Sequence, residues 1–197
     1  AKQLAQISGQ HFELVKIKTL GDEITQTPLW QVEGKDFFTR ELDQALLAGE
    51  IDVVVHSHKD LAHDRPAGIL LGAITPRTFA QDVLLCKKFP GEVWAEGNPW
   101  TVGTCSPRRI YQAQTHLAKL LPRGPAQATG AIAAQALRGN VNTRLKKLQA
   151  GEYHAIILAL AGIERLLADQ QARLELLPLL SNLQAMILPV HLFTPAA

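Results

Sequence analysis

Apolar positions in this chain come in short blocks whose spacing switches repeatedly between strand period and helix period. Phe12 to Thr19 largely alternates apolar with polar side chains, which predicts a strand with one exposed face. Gly21 to Gly34 reads as a loop, and Asp36 stands where it would cap a helix carrying Phe38, Leu42, Ala45 and Leu46 on one face, ending near Gly49. Val53, Val54 and Val55 are consecutive and β-branched, so Asp52 to Ser57 is expected as a strand buried on both faces of a parallel sheet. Ile69 to Ile74 reads as a third strand, Pro76 and Arg77 end it, and Gln81 to Lys87 reads as the strand that carries the chain into a second lobe.

After a Pro/Gly/Trp-rich stretch, Pro90 to Trp100, the same scheme resumes. Thr101 to Thr104 forms a short strand, and Ser106 caps a helix with Pro107 in its first position. Arg123 to Ala136 is rich in Gly and Ala and resists assignment. Asn140 or Asn142 caps the next helix, whose Val141, Leu145 and Leu148 keep helical spacing until Gly151 stops it. Tyr153 to Leu160 is a buried strand, Gly162 to Leu167 starts a helix carrying Arg165, and Met186 to Phe193 reads as a strand returning to the first lobe. Such alternation implies an α/β protein with parallel sheets and right-handed crossovers. The lobes are residues 1–81 with about 187–197, and residues 82–186.

Composition narrows the class. With 197 residues, 47% hydrophobic and 19% charged, the chain can bury a real core and is not of the disordered kind. The longest apolar run, Ala155 to Ile163, has nine residues, under half a membrane span, so no membrane partner is expected. No secretory pattern opens the chain and two cysteines make no disulfide framework, which together suggest a cytoplasmic protein.

The net charge of +2 conceals an uneven distribution: Thr101 to Ala150 holds eight Lys and Arg residues and no Asp or Glu. A long stretch of one sign implies an anionic partner. Tyr111 is its one aromatic, which argues against nucleic acid and for a small polycarboxylate or phosphate. Arg108 and Arg109 would lie in the first turn of a helix, against its dipole, a cost that makes sense if an anion binds there. Ligands of open α/β sheets bind beyond the carboxyl ends of strands, where Lys59 and Asp60 follow the valine run. On pattern alone, a solvated turn and a plain surface helix account for these residues as well. His56, His58 and His63 lack zinc spacing and a thiolate partner, so no metal is expected.

Six ordered motifs carry a resemblance. They are G-D-x-I-x-x-T-P-L at Gly21 to Leu29, G-K-x-x-F-x-R-E-L at Gly34 to Leu42 and V-H-S-x-K-D at Val55 to Asp60. V-G-T-x-S-x-R-R at Val102 to Arg109, L-R-G-N-V-x-T-R-L-x-K-L at Leu137 to Leu148, and G-E-Y-x-A-I-I-L-A-x-A-G at Gly151 to Gly162 complete the set. The chain resembles the hydroxymethylbilane synthase, or porphobilinogen deaminase, family over that family's first two domains. The resemblance implies two lobes of the type-II periplasmic-binding-protein kind, with the third, cofactor-anchoring domain absent. It implies condensation of porphobilinogen, with loss of ammonia, onto a dipyrromethane primer in the cleft between the lobes.

By the same resemblance, Asp60 is the catalytic carboxylate and Lys59 its neighbour. Arg108, Arg109, Arg138, Arg144 and Arg165 hold acetate and propionate groups, Thr104 and Ser106 donate hydroxyls to them, and Lys35 and Arg40 are basic positions of a mobile loop and the following helix. The chain also departs from the pattern. The family's primer cysteine belongs to the third domain, its N-terminal Arg/Ser segment has no counterpart, and neither Cys86 nor Cys105 matches the anchor. Cys105, in place of a serine beside the arginine pair, is a candidate covalent anchor. Two further expectations follow from these departures: a separate third-domain partner, or a non-catalytic paralogue binding porphobilinogen, a polypyrrole or another polycarboxylate.

Overall fold

The computed structural model describes residues 2–19, 39–58, 61, 65–95, 97–123 and 130–195, and the chain divides into two units, Ala1–Thr75 and Pro76–Ala196. The described part of the first unit contains two helices, α1 (Lys2–Ser8) and α2 (Arg40–Leu47). Thr39 precedes α2 without a side-chain capping bond, and Ala45 is its buried residue. The cap expected at Asp36 lies outside the described residues.

The strands expected at Phe12 to Thr19, Asp52 to Ser57 and Ile69 to Ile74 do not form. Val53 is 60% exposed, Val55 77% and Leu70 90%, so the valine run is not buried on two faces. β-branched side chains favour a pleated surface only where a partner strand and a covering layer exist, and these segments pair with no strand among the described residues.

The second unit is built on one five-stranded sheet: β1 (Asp82–Cys86), β2 (Trp100–Gly103), β3 (Ile132–Gln135), β4 (Ala155–Ala159) and β5 (Gln184–Ile187), in the order β3-β2-β4-β1-β5. β2 pairs parallel with β3 and β4, whereas β1 runs antiparallel between β4 and β5. The sheet is therefore mixed, not purely parallel as expected. Alternation of side chains sends the residues of β1 and β4 to two cores. Leu84, Cys86, Ala155 and Ile157 pack with Trp94, Trp100, Leu117, Leu188 and Phe193. Val83, Leu85, Ile156 and Leu158 pack with Leu137, Leu145, Leu148, Ile163 and Leu176.

Helices cover these faces. α3 (Gly91–Ala95) follows β1, and α4 (Pro107–Gln112) runs through a π-helical stretch, Ala113–Leu117, into α5 (Ala118–Leu120). Then come α6 (Val141–Gln149), α7 (Leu160–Ala168) and α8 (Gln170–Leu180). α8 was not evident in the sequence, where Pro178 breaks its pattern; Asp169 caps it by accepting from the Ala172 N–H, and Leu176 anchors it.

The C-terminal stretch also differs from expectation. Its strand is Gln184–Ile187, hydrogen-bonded to β1, and the chain then turns so that the Phe193 N–H donates to the Pro189 carbonyl at 2.8 Å. Leu188 and Phe193 are fully buried in a core of the second unit, with Leu192 packed against it. The open edge of β1 supplies the ladder partner, and two large apolar side chains supply the reason to stay. No helix among the described residues is long and apolar enough to cross a membrane.

Candidate functional site

The antiparallel direction of β1 determines the chemistry of one edge of the sheet. Its first residue, Asp82, stands opposite Ala159, the last of β4, so a carboxylate arrives at the edge where the parallel strands end. Thr104 follows β2 at this edge, fully buried, its Oγ1 accepting from the Ser106 N–H at 3.3 Å. Ser106 caps α4 by accepting from the Arg109 N–H, as its position predicts.

That cap aims both arginines at β1. Arg109 grips Asp82 with two donors, Nε to Oδ2 at 3.0 Å and Nη2 to Oδ1 at 2.7 Å. Arg108 donates from Nη2 to the same Oδ2 at 3.0 Å. Its Nη1 donates to Gln112 Oε1 at 2.8 Å and to the Thr194 carbonyl at 2.5 Å. Asp82 is 3% exposed, and the Arg108 and Arg109 side chains 27% and 14%. The pair expected to stand open for an anion thus already holds one. A buried carboxylate needs such partners, since desolvation without them costs several kcal/mol.

A second cationic group follows β3. At Gly139 the backbone takes φ +112, and its carbonyl accepts from Arg144 Nε at 2.7 Å. Asn140 caps α6, its Oδ1 accepting from the Thr143 N–H and Oγ1, each at 2.9 Å, which places Arg144 one turn in. Burial pulls the Arg144 guanidinium down from its ordinary pKa; Cys105 opposes the shift and the charge of Arg109 adds to it, so these three groups lie within electrostatic reach. Tyr153 donates its hydroxyl to the Ala136 carbonyl at 2.7 Å, and burial, then Glu152 and Cys105, push its phenol up.

The other expected site residues are more scattered. Arg138 is exposed just before α6, Arg165 is exposed on α7, and Arg40 is exposed at the start of α2 in the first unit. Lys35, Lys59 and Asp60 lie outside the described residues. Cys105 is exposed, whereas Cys86 sits in the core, where burial pushes its thiol up to about 11. Sequence reasoning missed Asp82, Gln112, Thr194 and Gly139 as parts of this edge. One signal was available: a stretch with eight cations and no acid must find compensation elsewhere, and Asp82 opens the apolar strand just upstream.

The second unit is thus a mixed α/β domain whose strand ends gather guanidiniums, hydroxyls and one buried carboxylate, an arrangement suited to a small polyanion. The family model described as "Porphobilinogen deaminase, dipyromethane cofactor binding domain" matches residues 1–190, and the chain belongs to that family. It is 45% identical over 159 residues to the porphobilinogen deaminase of a Nitratiruptor species, covering 80% of this chain and 47% of that protein. The corresponding protein of Streptococcus sanguinis is 40% identical over 173 residues, 87% of this chain and 52% of its own length. That of Campylobacter curvus is 40% identical over 177 residues, 88% and 52%. The chain spans about half the length of these relatives.

Proposed function

We propose that this chain acts as a porphobilinogen deaminase, condensing porphobilinogen with loss of ammonia, in a cytoplasmic setting. The single observation that supports this most is the cationic edge of the second unit: Arg108, Arg109 and Arg144 held in fixed orientations beside Thr104 and Ser106. Porphobilinogen carries an acetate and a propionate, and guanidinium N–H groups pair with carboxylates in bidentate fashion. Arg138 and Arg165 extend the set, with Lys35 and Arg40 as basic positions of the first unit.

The reading includes two lobes of the type-II periplasmic-binding-protein kind, dividing near residue 81. Asp60, with Lys59, is the catalytic pair of this reading: a carboxylate stabilises positive charge on pyrrole nitrogens and moves protons. The donor set also fits a dipyrromethane, since Arg109 bonds Asp82 through Nε and Nη2 and keeps its Nη1 hydrogens without an acceptor among the described residues. When bound, that group would supply the nucleophilic pyrrole to be extended. Of the two thiols only Cys105 reaches solvent, and intact mass after incubation with porphobilinogen tests it as an anchor: an unmodified chain removes that role.

Incubation of the chain with porphobilinogen, alone and with a separately supplied third domain of a relative, tests the activity. Release of ammonia with an Ehrlich-reactive product is expected. Saturable binding without turnover in both conditions, lost in Arg138→Ala, would instead assign a non-catalytic binding role.

A further inference from the structure

The edge of the second unit presents an accounting question that the family's chemistry leaves open: which N–H groups of its arginine pair remain for a ligand. A guanidinium has five N–H donors. Arg108 uses both Nη1 hydrogens, on Gln112 and on the Thr194 carbonyl, and one of Nη2, on Asp82. Arg109 uses only Nε and one Nη2 hydrogen, both on Asp82. Its Nη1, on the side of the guanidinium away from that grip, has no acceptor among the described residues. The charge of Arg109 acts on Arg144, whose Nε is in turn held by the Gly139 carbonyl.

We infer that Asp82 is a positioning residue that divides the pair into a structural and a presenting arginine. Arg108 ties the start of β1 to the C-terminal segment at Thr194. Arg109, clamped by two parallel bonds, keeps its Nη1 hydrogens for a ligand carboxylate. The inference rests on the carboxylate-binding reading above and goes further by assigning unequal work to adjacent arginines and a role to a residue that itself touches no ligand.

Electrostatics makes this testable, because two explanations predict opposite signs. Asp82 neutralises one of two positive charges. Were it merely a competing anion, Asp82→Asn would free the pair and tighten binding. As a positioning group its loss releases two long side chains from fixed rotamers, and ordering them again on binding weakens affinity by about tenfold.

The experiment titrates porphobilinogen into the full 197-residue chain by calorimetry, comparing the unmutated protein with Asp82→Asn, Arg109→Lys and the double variant, each checked for folding by circular dichroism. The expected result is weaker binding in D82N and in R109K, with the double variant no weaker than R109K alone, because Asp82 acts through Arg109. Unchanged or tighter binding in D82N overturns the inference, and so do losses that multiply in the double variant. If D82N does not fold, D82E decides in its place: it keeps the charge but displaces it by one methylene, so a comparable loss supports the role and undiminished affinity overturns it. Failure of the unmutated chain to bind porphobilinogen overturns the carboxylate-binding reading itself, and this inference with it.

Discussion

Gly139→Ala is the substitution whose cost can be worked most fully from the structure. Gly139 has φ +112, a conformation that an L side chain enters at about 1–2 kcal/mol. A Cβ there would also lie 2.6 Å from Thr143 Cγ2 and 2.8 Å from Thr143 Cβ. Thr143 cannot swing away freely, because its N–H and Oγ1 both donate to Asn140. Forcing an extra carbon into such a contact costs about 1–3 kcal/mol more, and the stiffer unfolded chain returns only about 0.4–1 kcal/mol. A net destabilisation of about 2–4 kcal/mol follows, which for a chain of this size lowers the melting temperature by about 5–15 °C. Gly151→Ala is the matched control: φ is +80, yet nothing lies within 4 Å of the added carbon, so it carries the backbone term alone, about 1 kcal/mol. Urea denaturation followed by circular dichroism measures both. The two variants coming out equal would refute the steric part of this reasoning. Because the Gly139 carbonyl holds Arg144 Nε, G139A should also weaken porphobilinogen binding under conditions where it remains folded, whereas G151A should not.

Two further outcomes are expected. Asn140→Ala removes the cap of α6 and should cost about 1 kcal/mol in the same denaturation assay, an unchanged midpoint contradicting the capping role. At about pH 8 the native chain should present one thiol, Cys105, to a soluble disulfide reagent, and two after unfolding. The buried Cys86 links to alkaline stability with a definite sign. Its thiol is pushed up to about 11 when folded, so the folded state keeps a proton that the unfolded state releases. That contribution is intact below about pH 9 and is lost as pH rises through about 11, amounting to roughly 2–3 kcal/mol. Cys86→Ala should flatten this part of the pH profile, and an unchanged profile would contradict it.

Local signals in the second unit were legible because chain neighbours determine them. Ser106 caps α4 and Asn140 caps α6, Gly151 follows the end of α6, and the apolar runs at Asp82–Cys86 and Ala155–Ala159 are central strands. What failed depends on partners distant in sequence. Val53 to Val55 has the composition of a buried strand, but it joins no ladder among the described residues, and the exposure of Val53 and Val55 follows. The direction of β1 could not be read from its four apolar residues, and that direction is what delivers Asp82 to the strand-end edge. An alternating apolar pattern is the same read forward or backward. Hence the cationic character of the stretch was legible, while the carboxylate that occupies two of its arginines was not. Six motifs carried the family, which the match over residues 1–190 bears out.

The central claim is that the strand-end edge of the second unit receives the carboxylates of porphobilinogen. Titrating porphobilinogen into isotopically labelled protein and following backbone amide resonances tests it most directly. The amides of Thr104 to Ser106, Arg108, Arg109 and Gly139 to Arg144 should shift most and saturate together with one dissociation constant. Shifts centred instead on α8 or α3, with those two segments unmoved, would contradict it.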